Sequence, residues 1–96
     1  MRAALAIALA LLPAQLQAQQ RASVNIVNEG QRDVRIGVLD QVCNAVIYRG
    51  HLVAEAETTI ECCPDAAGRC KLVIEDQTGH RQAFDGLPGT VYLRPR

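Results

Sequence analysis

Two alternating segments decide the fold, Ser23-Val24-Asn25-Ile26-Val27-Asn28 and Asp33-Val34-Arg35-Ile36-Gly37-Val38-Leu39. In the second segment Val34, Ile36 and Val38 share one face, because successive side chains of a strand point to opposite sides. A helix would instead need an apolar stripe that recurs at spacings of three and four. Both segments are therefore predicted to be strands. The short Glu29-Gly30-Gln31 link predicts that they pair as an opening hairpin.

The rest of the chain repeats short apolar segments between turn residues. Turns are predicted at Arg49-Gly50, at residues 76–80 and at residues 85–89, where glycine, proline and aspartate concentrate. The remaining predicted strands cover residues 44–48, 58–62, 70–75, 81–84 and 90–93, and residues 51–54 are a short strand or an extended crossing. About seven short strands without a convincing helix predict an all-β domain, a small antiparallel two-sheet sandwich of immunoglobulin-like type. A small closed β-barrel is the alternative, since periodicity does not separate the two.

The N-terminus has the three parts of a secretory signal. Met1-Arg2 is a positive start, residues 3–12 are unbroken apolar sequence, and residues 13–18 turn polar and end on Ala18. The apolar run of roughly 10 residues is too short for a transmembrane anchor, which needs about 20. We therefore expect a signal peptide over residues 1–18 and one disulfide-stabilised domain over 19–96. Cleavage after Ala14, and a buried N-terminal helix, are the alternatives.

Four cysteines, Cys43, Cys62, Cys63 and Cys70, predict a disulfide framework in a short exported chain. The expected location is therefore the periplasm or the outside of the cell. Strand parity places Cys62 and Cys70 on the apolar faces of two adjacent antiparallel strands, which favours Cys62–Cys70 across a hairpin and leaves Cys63 for Cys43. Cys43–Cys62 with Cys63–Cys70 is the alternative, because a bulge at the cysteine pair would exchange the faces.

Composition argues against a nucleic-acid partner. Without Arg2 the mature chain has 9 basic and 10 acidic residues, counted from 10 of each in the full chain. A net charge near −1 provides no basic face to displace counterions from phosphate. The aromatic residues are Phe84, Tyr48 and Tyr92, which leaves few side chains on which bases could stack. The expected partner is an unidentified protein or small molecule, and no cofactor is expected.

No catalytic or metal motif emerges from the residue spacing. Ser23 is the single serine of the chain and lacks the Gly-x-Ser-x-Gly surroundings of a nucleophile. His51 and His80 each follow a glycine at a predicted turn. The alternative enzymatic hypothesis is a small metal-binding protein or hydrolase that uses His51 and His80 with nearby carboxylates such as Glu55 or Asp76.

The loop between Cys63 and Cys70 is the candidate recognition element. Loops on a rigid scaffold often carry binding residues, and a disulfide lowers the entropy lost on binding. Pro64, Asp65 and Arg69 are the residues expected to make contact. The sequence thus predicts a non-enzymatic binding domain, with an inhibitor of a secreted hydrolase acting through this loop as an alternative. Arg32, Arg35 and Arg49 form a second candidate, a basic stripe.

Overall fold

A computed structural model describes residues 22–94. The predicted signal peptide, residues 1–18, lies outside the described residues. Seven strands follow one another along the chain: β1 Ala22–Asn28, β2 Val34–Asp40, β3 Ala45–Leu52, β4 Glu57–Cys62, β5 Cys70–Asp76, β6 Arg81–Gly86 and β7 Thr90–Leu93. Within residues 22–94 no helix is long and apolar enough to cross a membrane.

The strands form two sheets, which confirms the predicted all-β sandwich, except that β1 and β7 pair in parallel and not antiparallel as predicted. One sheet has three strands in the order β4-β1-β7, and the other has four in the order β3-β2-β5-β6. Alternation in β1, β2 and β5 buries every second side chain between the sheets. The largest fully buried side chains include those of Ile26, Leu72, Val24 and Val38. Burial of this apolar surface is the main stabilising term of the fold.

The predicted opening hairpin is wrong, because β1 and β2 belong to different sheets. β1 pairs with β4 and β7, whereas β2 pairs with β3 and β5. Asn28 fixes the crossover between the sheets. Its buried side-chain amide donates hydrogen bonds to the carbonyl oxygens of Arg32, Leu52 and Val53. Alternation identifies the buried face of a strand but carries no information about which strand lies beside it.

The predicted turn at Arg49-Gly50 is also wrong, because β3 runs unbroken from Ala45 to Leu52. Gly50 pairs with Ile36 in the middle of the ladder. A side chain at Gly50 would collide with the ring of Tyr48, which lies over it on the inner face. Glycine therefore marks a close approach within a strand here, and such an approach is a known reason for strand glycine.

The disulfides join Cys43 to Cys63 and Cys62 to Cys70, with Cα–Cα distances of 5.9 and 6.0 Å. These are the pairs that parity favoured, but the hairpin invoked for Cys62–Cys70 does not exist. β4 and β5 lie in different sheets, so this bond crosses the core and links the sheets. Its cysteines are both buried. The described residues contain no free cysteine. Two disulfides are consistent with an oxidising, exported environment.

Candidate binding face on the four-stranded sheet

A row of exposed and half-buried apolar side chains crosses the outer face of the four-stranded sheet. Strand register places Leu39 beside Val46 on one side and Val73 on the other, and Val73 beside Ala83. We call these four residues the apolar row. Leu39 and Val46 keep 37% and 50% of their surface accessible. Outward positions of a half-buried sheet are ordinarily polar, so a continuous apolar row is an anomaly that requires an explanation.

Charged side chains border the apolar row on both sides. One border, the Glu75 row, consists of Arg49, Glu75 and Arg81, with Gly37 between Arg49 and Glu75 in register. The other border, the Lys71 row, pairs Lys71 with Asp85. Arg81 Nε donates to Glu75 Oε2 at 2.7 Å, and this contact raises the pKa of the Arg81 guanidinium. The face therefore has an apolar centre and a polar, charged rim.

The face is shallow and open to solvent. Its hollow has a volume of about 810 Å³ and is lined by residues of β2, β3 and β5 together with Arg81. Gly37 contributes to this shape because it has no side chain, and a Cβ there would come no closer than 4.0 Å to Arg49 Cγ. Small-molecule sites are usually concave and bury most of the ligand. An open hollow across four strands has the form of a macromolecular contact surface.

The candidate basic stripe is only partly assembled. Arg35 and Arg49 lie on this outer face, whereas Arg32 lies in the β1–β2 loop beside a separate hollow. Arg35 is opposite His51 in the ladder. His51 Nε2 lies 3.4 Å from Asp33 Oδ2, and both side chains are about half exposed. Acidic groups therefore accompany the basic ones at this end of the sheet.

The cysteine-bounded loop is a compact turn that uses its polar groups internally. Asp65 Oδ1 accepts hydrogen bonds from the backbone N–H groups of Ala67 and Arg69 at 2.8 and 3.0 Å. The bond from Arg69, the bond from Ala67 and the charge of Lys71 lower the pKa of Asp65, against the opposing effect of desolvation. Arg69 Nε donates to Asp85 Oδ1 at 3.1 Å. Pro64 is partly buried beside them.

Asp40 is a structural residue for which the sequence suggested no role. Its carboxylate is fully buried. Oδ1 accepts from the N–H groups of Val42 and Cys43, and Oδ2 accepts from the N–H of Cys63 at 2.7 Å. The side chain thus closes the β2–β3 turn and ties it to the end of β4 beside the Cys43–Cys63 bond. An aspartate that begins a turn is a recognisable local signal, but its bond to Cys63 depends on tertiary structure.

The described residues do not gather the two histidines around a common site. His51 lies on β3 against Asp33, and His80 closes the β5–β6 turn, where its N–H donates to Asp76 Oδ1. The candidate metal-ligand group within residues 22–94 is Asp40, Cys43 and Cys63, which includes neither histidine. Those two sulfurs are bonded to each other and the Asp40 oxygens accept backbone hydrogen bonds, so the group serves the fold.

The sequence contains a signal for the apolar row, although the predicted binding element was a different one, the cysteine-bounded loop. Leu72-Val73-Ile74 and Val38-Leu39 place apolar residues at both strand parities, so both faces of these strands are apolar. Comparison with known proteins adds no further guide to function: no protein-family model matches the chain, and neither does a curated protein or a solved structure.

Proposed function

We propose that this domain is a non-enzymatic binding module that contacts a protein partner through the outer face of the four-stranded sheet. The observation that carries the proposal is the apolar row between two charged rows, in which Val46, Leu39 and Ala83 are exposed and Val73 is half-buried. Contiguous apolar surface with a polar rim is characteristic of protein-interaction sites.

The geometry favours this face over the cysteine-bounded loop as the binding element. An inhibitory loop needs side chains that project and remain available to a partner. Asp65 caps its own turn and Arg69 is bonded to Asp85, so each would have to give up internal bonds. The sheet face offers apolar surface without that loss. The hydrolase or metal-binding alternative has less support, since His51 and His80 belong to separate local networks.

The proposed location is outside the cytoplasm, in the periplasm or the extracellular space. Its support is the pair of disulfides together with the signal-like sequence of residues 1–18. Disulfides persist in oxidising compartments and are rare where thiols are kept reduced.

Site-specific photocrosslinking in the producing cell tests the proposed face. A benzophenone amino acid replaces Leu39 in the apolar row, and the matched control carries it at Tyr92. Tyr92 is 53% exposed and lies on the three-stranded sheet. We expect a discrete crosslinked protein, identified by mass spectrometry, from position 39 and none from position 92. The proposal would be contradicted by equal crosslinks from both positions, or by no crosslink from either position both in the cell and in the purified protein at millimolar concentration.

A further inference from the structure

On β5 and on β6, the outward side chain has one sign of charge on one side of the apolar row and the opposite sign on the other side. Along β5 the outward residues are Lys71, Val73 and Glu75, in that order. Along the antiparallel strand β6, Arg81 lies beside Glu75 and Asp85 lies beside Lys71. Each strand therefore carries one basic and one acidic side chain on opposite sides of its apolar residue. If a second copy of this surface lies over the first with its strands reversed, each basic side chain of β5 and β6 lies over an acidic one.

We propose that the partner of this face is a second copy of the same chain, bound face to face about a two-fold axis that runs along the apolar row. The inference rests on the proposed function and identifies the partner. Rotation about this axis keeps each strand over its counterpart but reverses its direction. Lys71 then faces Glu75 of the second copy, and Arg81 faces its Asp85. Each contact occurs twice, as an isologous interface requires.

The charge pattern also selects this axis over the other two-fold arrangement. An axis parallel to the strands would exchange the two sides of the sheet, because β3 and β6 are its edges. Arg49 would then face Arg81 of the second copy, and like charges in contact oppose association. Only the first arrangement stacks the apolar row on itself and also keeps Arg49 of one copy away from Arg81 of the other.

The internal ion pairs of the monomer are compatible with this contact. Glu75 already binds Arg81 at 2.7 Å, Asp85 binds Arg69 at 3.1 Å, and Lys71 Nζ lies 3.7 Å from Asp65 Oδ2. Approach of the second copy gives Glu75 and Asp85 each a further basic neighbour without removing the first, and gives Lys71 a second acidic neighbour. Without Arg2 of the predicted signal peptide the chain has 9 basic and 10 acidic residues, counted from 10 of each in the full chain, so the net charge near −1 opposes association only weakly.

The size of the face predicts a weak, reversible dimer. Four strands about 4.8 Å apart, each contributing about seven residues with a rise of 3.3 Å, form a face of roughly 19 by 23 Å. That is about 440 Å², which is below the roughly 800 Å² per partner of a standard stable interface. We therefore expect association to become visible only toward millimolar protein concentration.

Single charge reversals on β5 test the arrangement. Lys71→Glu places a carboxylate against Glu75 of the second copy, and Glu75→Lys places an ammonium group against its Lys71. Each variant turns two attractive contacts into repulsive ones, so we expect the dimer dissociation constant to rise roughly tenfold. Sedimentation equilibrium of the oxidised protein, purified from the producing cell, measures it. The control is Glu29→Lys, an exposed residue of the β1–β2 loop with the same charge change as Glu75→Lys.

An equimolar mixture of the two variants is the decisive measurement. In a mixed dimer, position 71 of the Lys71→Glu chain is acidic and faces position 75 of the Glu75→Lys chain, which is basic. The unchanged Glu75 of the first chain faces the unchanged Lys71 of the second, so both contacts are attractive again. The expected result is a mixed dimer at wild-type affinity or tighter, while each variant alone stays monomeric.

Two outcomes would overturn the inference: failure of the mixture to associate, and a wild-type protein that remains monomeric at millimolar concentration. Neither outcome would by itself remove the proposed function. That proposal still stands if position 39 crosslinks to a different polypeptide, and it fails separately if position 39 gives no crosslink either in the cell or in the purified protein at millimolar concentration.

Discussion

At the residue scale, the buried carboxylate of Asp40 accepts backbone hydrogen bonds that strand pairing would otherwise accept. Three backbone N–H groups, from Val42, Cys43 and Cys63, end on its carboxylate. Buried backbone donors are almost always paired, since an unpaired one retains its full desolvation penalty. Asp40 therefore accepts hydrogen bonds both from the turn after β2 and from the end of β4, and these two segments are not paired with each other in a sheet.

Asp40→Ala is expected to lower the free energy of unfolding by about 3 kcal/mol, because it removes the shared acceptor of three part-buried backbone donors. Asp65→Ala is the matched control. Asp65 also accepts two backbone N–H groups, but in a partly exposed turn where water can replace it. Urea denaturation of both oxidised variants measures the difference. A loss from Asp40→Ala no greater than that from Asp65→Ala would show that the carboxylate does not hold these segments together.

At the scale of the strand, two glycines of the four-stranded sheet have opposite roles. Gly50 lies on the inner face, where the Tyr48 ring occupies the space of a side chain, whereas Gly37 lies on the outer face with open space above it. Both are turn or weak-strand signals in the sequence. Their roles differ because the Tyr48 ring of the same strand lies over Gly50, whereas no side chain occupies the corresponding space at Gly37. The direction of the Tyr48 ring cannot be read from the sequence.

Gly50→Ala is expected to destabilise the protein by about 2 kcal/mol, since it forces the Tyr48 ring out of its place. Gly37→Ala should cause no loss and can add up to about 1 kcal/mol, because alanine restricts the unfolded chain more than glycine does. Urea denaturation at low protein concentration measures both effects on the monomer. Equal losses from the two substitutions would refute the proposed packing of Tyr48 over Gly50.

At the scale of the whole molecule, we expect stability to depend on the two disulfides because the core is small. Cys62–Cys70 joins the two sheets through the core, and Cys43–Cys63 ties the β2–β3 turn to the end of β4. The bonded residues are 8 positions apart in Cys62–Cys70 and 20 positions apart in Cys43–Cys63. On the chain-entropy model these closures contribute about 2.5 and 3 kcal/mol, respectively. Small domains have only about 5 kcal/mol of net stability or a little more.

Reduction is therefore expected to unfold the protein at physiological temperature. Circular dichroism melting curves with and without reductant test this expectation directly. Cys43→Ala with Cys63→Ala separates the two bonds, since it removes only the more exposed one and should leave a folded protein with a lower melting temperature. A melting curve that reductant does not change would contradict the expected dependence on disulfides.

Sequence alone determined the strand content, the buried faces of β1, β2 and β5, and the pairing of the four cysteines in disulfides. These properties follow from local alternation, turn residues and cysteine number, which act over a few positions of the chain. Only the tertiary structure decided which strands are neighbours, which excluded the opening hairpin and turned Cys62–Cys70 into a link between sheets. It also assembled the apolar row, because Val46, Leu39, Val73 and Ala83 come from four strands and meet only through the sheet register. Register is set by long-range pairing and core packing, and no local pattern encodes it.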